Sequence, residues 1–151
     1  MASIHHRATL SVEPEAVWHL LSQFDATNMW HDRIAVSSME RSNQSSRKES
    51  TRTLQLADGE VIQERLRFID AGRMTMTYGL SDSEGAFKEY ASTVSVKPVQ
   101  DGHQAQLEWQ ASFTTNDDSV DARYESLLGE FILEGLDGVA EHLGVEGEIE
   151  L

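Results

Sequence analysis

Ser119 to Gly144 reads SVDARYESLLGEFILEGLDGVAEHLG. Tyr124, Leu127, Leu128, Phe131, Ile132, Leu136, Val139, Ala140 and Leu143 recur there at helical spacing, which predicts a helix from about Ser119 to His142 with one buried stripe. Asp117, Asp118 and Ser119 offer capping oxygens and negative charge at its positive end. Gly144 suits the left-handed residue that closes a helix. Gly135 lies on the inner stripe between Phe131 and Val139. Glycine costs a helix about 1 kcal/mol relative to alanine, so close approach to a neighbour or room for a ligand must account for it. Gly129 and Gly138 raise the same question less sharply.

Upstream of this helix the period changes from 3.6 to two. Strands are predicted over about Ile34–Arg41, Lys48–Leu56, Val61–Asp70, Met74–Leu80, Glu89–Lys97 and Gln104–Thr114. Short strands separated by glycine-containing turns imply an antiparallel meander. Ile4–Val12 alternates in the same way. Pro14 then opens an amphipathic helix over Glu15–Gln23, with Val17, Leu20, Leu21 and Phe24 on one side, and a second short helix or turn spans Asp25–Trp30. The order strand, two helices, six strands, helix describes an α+β fold: a seven-stranded curved antiparallel sheet wrapped round the last helix. Residues 1–143 form one domain in this reading, and residues 144–151 a loose acidic tail. One helix of about 24 residues spans roughly 36 Å and cannot fill the hollow of so wide a sheet. An internal cavity is the expected consequence.

Two turns set the register. A three-residue hairpin at Ala57-Asp58-Gly59 pairs Leu54 with Ile62 and Arg52 with Glu64, whereas a two-residue loop would set Arg52 opposite Arg65. The same loop at Asp70-Ala71-Gly72 pairs Phe68 with Met74, Leu66 with Met76 and Glu64 with Tyr78, and Tyr90 then falls beside Tyr78. The concave face so defined is apolar (Leu54, Leu66, Phe68, Met76, Val94, Trp109, Phe113 and others) except for a polar row of Arg52, Glu64, Tyr78 and Tyr90. An arginine and a glutamate in such surroundings must pair, since either ion alone would cost several kcal/mol.

Val12-Glu13-Pro14-Glu15-Ala16-Val17-Trp18, Trp30-His31, Arg52-Thr53-Leu54, Asp58-Gly59, Glu64-Arg65-Leu66, the run from Asp70 through Arg73 to Tyr78, and then Tyr90, Trp109 and Phe113 occur in this order over nearly the whole chain. In order and spacing they resemble the polyketide cyclase/dehydrase-type branch of the START-like superfamily, also called SRPBCC proteins. The resemblance implies a helix-grip fold with a deep cavity for lipids, polyketides or other hydrophobic molecules, used without metal or organic cofactor. Enzymes, carriers and receptors all share it, so it speaks to the fold more than to the activity.

The residues expected to line the cavity are Trp30, Arg52, Glu64, Leu66, Met76, Tyr78, Tyr90, Trp109, Phe131 and Gly135. The preferred reading is a binding protein for a small hydrophobic or aromatic molecule. The alternative is a cofactor-independent cyclase, aldol-type enzyme or dehydratase, with Glu64 as base and Arg52 and Tyr78 steadying the developing charge. A third reading is a protein-interaction module using the acidic face of the last helix.

Composition narrows the partners. The formal charge is −14, and residues 116–151 hold eleven acidic side chains against Arg123 alone. That bias repels phosphate backbones and anionic lipid, which speaks against nucleic acid and membrane surfaces. No stretch approaches the roughly 18 apolar residues of a membrane span. Cysteine is absent, which removes disulfides and thiolate sites, and the histidines show no metal-ligand spacing. A cytoplasmic protein without cofactor, as monomer or homodimer, is the expectation.

Overall fold

In a computed structural model, described for residues 2–23, 26–40, 51–56, 59, 61–80, 87–115 and 117–150, the chain forms one antiparallel sheet and two α-helices. The elements are β1 (Ala2–Leu10), α1 (Pro14–Leu21), β2 (Ile34–Glu40), β3 (Thr51–Leu56), β4 (Val61–Asp70), β5 (Thr75–Leu80), β6 (Phe87–Val99), β7 (Gln104–Thr115), α2 (Asp121–Leu143) and β8 (Gly147–Glu150). The sheet order is β2-β3-β4-β5-β6-β7-β1-β8. The second helix expected near residues 25–30 is a 3-10 turn, Thr27–Met29. The expectations for Phe24, residues 41–50, Ala57-Asp58 and the loop from Ser81 fall outside the described residues. No described helix is long and apolar enough to cross a membrane.

The sheet has eight strands rather than seven. The added one comes from the expected acidic tail: Gly147–Glu150 pairs antiparallel with Arg7–Leu10 of β1. Gly144, at φ +66°, reverses the chain to allow this. Its N–H reaches the Glu141 carbonyl and that of Val145 the Ala140 carbonyl, both at 3.1 Å, so two otherwise unpaired carbonyls of the helix end are satisfied. At the other end of α2, Asp117 accepts from the Ser119 N–H and hydroxyl at 3.0 and 2.8 Å, which caps the 3-10 turn Asp118–Val120 leading into the helix.

The first hairpin follows the predicted register. Gly59 is left-handed, at φ +97°, and Arg52 faces Glu64 while Leu54 faces Ile62. The second hairpin does not. Gly72 is not left-handed; Met74 is, at φ +47°. The turn therefore spans Ala71–Met74, with the Asp70 carboxylate accepting the Arg73 N–H at 3.2 Å. A bulge between Leu66 and Phe68 shifts the alternation. Tyr78 thus lies opposite Leu66 rather than Glu64, and Glu64 opposite Leu80. Phe68, expected on the concave face, turns outward and is half exposed, with Ile69 taking the inner side. Across β5 and β6 the partner of Tyr78 is Ser92, not Tyr90.

The core is the concave face itself. Leu54, Leu66, Met76, Val94, Val96, Leu107, Trp109, Ala111 and Phe113 are buried there, joined by Ala8 and Leu10 of β1. The second half of α2 seats Ile132, Leu136 and Val139 against it. The first half packs less deeply: Tyr124, Leu128 and Phe131 are only half buried.

Candidate functional site

Arg52 and Glu64 sit on neighbouring strands with side chains on the concave face, each only 4% exposed. Arg52 Nε and Nη2 both donate to Glu64 Oε1, at 3.0 and 2.8 Å. Nη1 donates to the Thr27 hydroxyl at 3.0 Å, which ties the turn after α1 to the sheet. The guanidinium carbon stands 4.4 Å from the centroid of the Tyr78 ring, within cation–π range.

Tyr78, Tyr90, Ser92 and Trp109 complete the polar network. Tyr90 hydrogen-bonds Glu64, Tyr78 and Tyr90 both bond Ser92, and Tyr78 bonds Arg52. Trp109 Nε1 donates to Ser92 Oγ at 2.8 Å. With Glu64 ionised, one donor arrangement satisfies every member. Tyr90 donates to the carboxylate, Ser92 to Tyr90, Tyr78 to Ser92 and Arg52 to Tyr78. Burial pushes the Glu64 carboxyl above its usual range, while the Arg52 charge and the Tyr90 bond pull it back. Burial disfavours the Arg52 cation, but Glu64 and Tyr78 beside it together more than offset this. The Tyr78 phenol is pushed up to about 12 by burial and by the Glu64 charge. Tyr90 is raised well above its normal value for the same reasons. Both phenols therefore remain neutral donors at ordinary pH.

Aromatic contacts join this network to α2. Trp109 meets Trp30 edge-on at 6.1 Å and Phe131 edge-on at 6.2 Å between ring centroids. His31 stacks on Phe131 at 4.1 Å and bonds its carbonyl through Nε2 at 2.8 Å. Leu66 and Met76 flank the polar row, Leu66 directly across from Tyr78. Of the two reasons for Gly135, the structure gives close approach. A Cβ there would lie 2.6 Å from Trp109 Cζ3 and 3.1 Å from His31 Cδ2. Gly138 is tighter still, with the Trp30 carbonyl oxygen 1.9 Å from a Cβ position. Among the described residues no group of three His, Asp or Glu side chains is placed to hold a metal ion.

A family model described as polyketide cyclase / dehydrase and lipid transport matches residues 1–144. The chain belongs to that family. Among solved structures, the protein XoxI from Bacillus cereus is 26% identical, with a TM-score of 0.81 over 93% of this chain and 94% of that one. A START superfamily protein from Mycobacterium smegmatis is 12% identical, at a TM-score of 0.79 over 94% and 97%. The Zhui aromatase/cyclase from Streptomyces sp. R1128 is 13% identical, at a TM-score of 0.80 over 93% and 92%. No curated protein sequence matches.

Within this member of the polyketide cyclase/dehydrase and lipid transport family, sequence reading assigns three residues of the site no role. Ser92 shares the inward side with Tyr90 and Val94, so strand alternation was the signal that could have found it. Thr27 and His31 are buried polar residues whose partners lie 25 and 100 positions away. No local pattern marks Thr27, and His31 enters the sequence reading only beside Trp30 in the family resemblance, with no partner assigned to it.

Proposed function

We propose that this protein is a cytoplasmic binding protein for a small hydrophobic or aromatic molecule carrying at least one polar group, held between the concave face and the first half of α2. One observation carries the reading: a hydrogen-bonded polar network of Arg52, Glu64, Tyr78, Tyr90 and Ser92 set among apolar side chains, in a molecule whose α2 stripe of Tyr124, Leu128 and Phe131 is only half buried. Apolar walls with a few convergent polar groups are the usual make-up of a small-molecule site. The family's description includes lipid transport, which agrees with carriage of such a molecule. Native mass spectrometry of protein purified from its own host tests this. A retained small molecule released on denaturation is expected. A protein that carries nothing, and that takes up no flat hydrophobic fluorophore, would sink the reading.

A second reading, a cofactor-independent cyclase or dehydratase, is favoured by the Glu64 carboxyl. Burial raises its basicity while Tyr90 and Arg52 hold it in place, as a general base requires. The fold neighbour Zhui is itself described as an aromatase/cyclase. Glu64→Gln separates the two readings: as a base its loss abolishes turnover while binding survives. Unaltered turnover in that variant would exclude Glu64 from the chemistry.

A further inference from the structure

Strand β1 has two edges. One pairs with β7 from Ala2 to Leu10. The other pairs with β8 only from Arg7 to Leu10, so among the described residues the edge from Ala2 to His6 has no strand beside it. Ser11, on the same alternation, donates its N–H to the Glu146 carbonyl at 3.0 Å. The N–H and C=O groups of Ser3 and His5 therefore point to the open side.

Across from that edge lies the first half of α2, and between them runs an open groove of about 560 Å³. Ile4 and His6 from the strand, and Gly129 and Leu133 from the helix, line it together with Glu125 and Glu130. Further along, the molecule fills the same cleft with its own strand. A Cβ on Gly147 of β8 would lie 2.8 Å from Leu10 and 3.1 Å from Ala140, so β8 is wedged between β1 and α2. The cleft thus accepts a strand, and among the described residues β8 occupies it only beside Arg7–Leu10.

Gly129 adds an independent observation. A Cβ there would meet only His6 Nε2 at 3.8 Å and Ile4 Cγ2 at 4.0 Å, ordinary contacts that do not demand glycine. Unlike Gly135 and Gly138, it weakens the helix without a packing reason. What it does is keep the wall of the groove low.

We propose that this groove docks an extended basic segment of a partner protein, added as a strand beside Ala2–His6 in line with β8. Main-chain bonds to Ser3 and His5 would hold it. Alternate side chains would rest on Ile4, Gly129 and Leu133, and its cationic side chains would face Glu125 and share Glu130 with Arg33, whose Nη2 stands 3.7 Å from that carboxylate. Charge selects this occupant over a second copy of the chain. Helix α2 carries six acidic side chains against Arg123, and symmetric pairing would bring two such helices together. None of the Arg52–Glu64 network lines the groove, so the proposal stands apart from the ligand reading.

The test uses the whole protein and two short synthetic peptides, one alternating lysine and valine, the other glutamate and valine. Amide hydrogen exchange at Ser3 and His5 is followed together with fluorescence anisotropy of labelled peptide. The lysine peptide is expected to protect both amides and to bind about tenfold tighter than the glutamate peptide, with affinity falling as salt rises. Gly129→Leu should weaken it at least about tenfold by filling the groove, while Gly129→Ala leaves it in place. Equal binding of the two peptides, unprotected Ser3 and His5 amides, or indifference to Gly129→Leu overturns the proposal. So does a dimer in which those amides are protected without peptide, because the occupant is then a second copy.

Discussion

The carbonyl oxygen of Trp30 lies where a side chain on Gly138 would begin, 1.9 Å from the Cβ position. Backbone meets backbone there, so neither side can yield by changing a rotamer. Gly138→Ala is expected to destabilise the fold by about 3 kcal/mol, the upper end for overpacking. Gly129→Ala, on the same helix but facing space, should stabilise it by about 0.5–1 kcal/mol. Denaturant midpoints of the two variants check the contrast, and equal effects would contradict the close approach.

Arg52 and Glu64 give a second contrast. Arg52→Met alone leaves a buried carboxylate without its cation and is expected to cost about 3–5 kcal/mol. Combining Arg52→Met with Glu64→Leu removes both charges and should return stability to within about 2 kcal/mol of the parent. Urea unfolding of the parent and the two variants measures the coupling. Additive losses would mean the pair is not a unit.

His31 predicts a pH dependence. The Phe131 carbonyl can only accept, so Nε2 carries the proton, and the Arg33 N–H at 3.3 Å donates to Nδ1. The neutral ring is fully satisfied. Burial lowers its pKa, against the opposing pull of the Phe131 bond. The unfolded chain therefore takes up a proton at a higher pH than the folded one. The contribution is whole above the unfolded value of 6.5 and is lost as pH falls below it. Unfolding midpoints should drop between about pH 7 and 5, and His31→Gln should flatten that part of the profile.

Ser92 is the acceptor for Trp109 Nε1. Ser92→Ala orphans that buried donor and the Tyr78 hydroxyl, at an expected cost of about 1–3 kcal/mol per group. Thermal unfolding measures the loss. Trp109 fluorescence should also shift as its hydrogen bond disappears, and an unchanged spectrum would count against the network.

How much of this was legible beforehand depended on how local the information was. Arg52 opposite Glu64 could be read because Gly59 and the avoidance of Arg52 against Arg65 both pointed to one loop. The same rule misread Asp70-Ala71-Gly72. Asp70 captured the Arg73 N–H, the left-handed residue moved to Met74, and the bulge at Leu66/Phe68 re-aimed Phe68. A turn's composition shows that the chain reverses, not which residue takes the positive φ. The polar row is thus legible in the sequence as a set, but the strand partners of Tyr78, which are Leu66 and Ser92, are not.

Periodicity and charge were enough to establish a helix over about Ser119–His142, found at Asp121–Leu143, the meander before it and the need for Arg52 and Glu64 to meet, because burial of one face and pairing of ions are demands each segment makes on its own. Tertiary structure alone decided that Thr27 holds Arg52, that Ser92 gathers Tyr78, Tyr90 and Trp109, that His31 locks onto α2, and that Gly147–Glu150 becomes a strand. Thr27 and Ser92 depend on how the turn after α1 meets β3 and on how β5, β6 and β7 pair; His31 and β8 depend on how α2 is laid across the sheet. That placement is set by contacts between residues far apart in the chain, where a glycine such as Gly138 matters only once another backbone has arrived beside it.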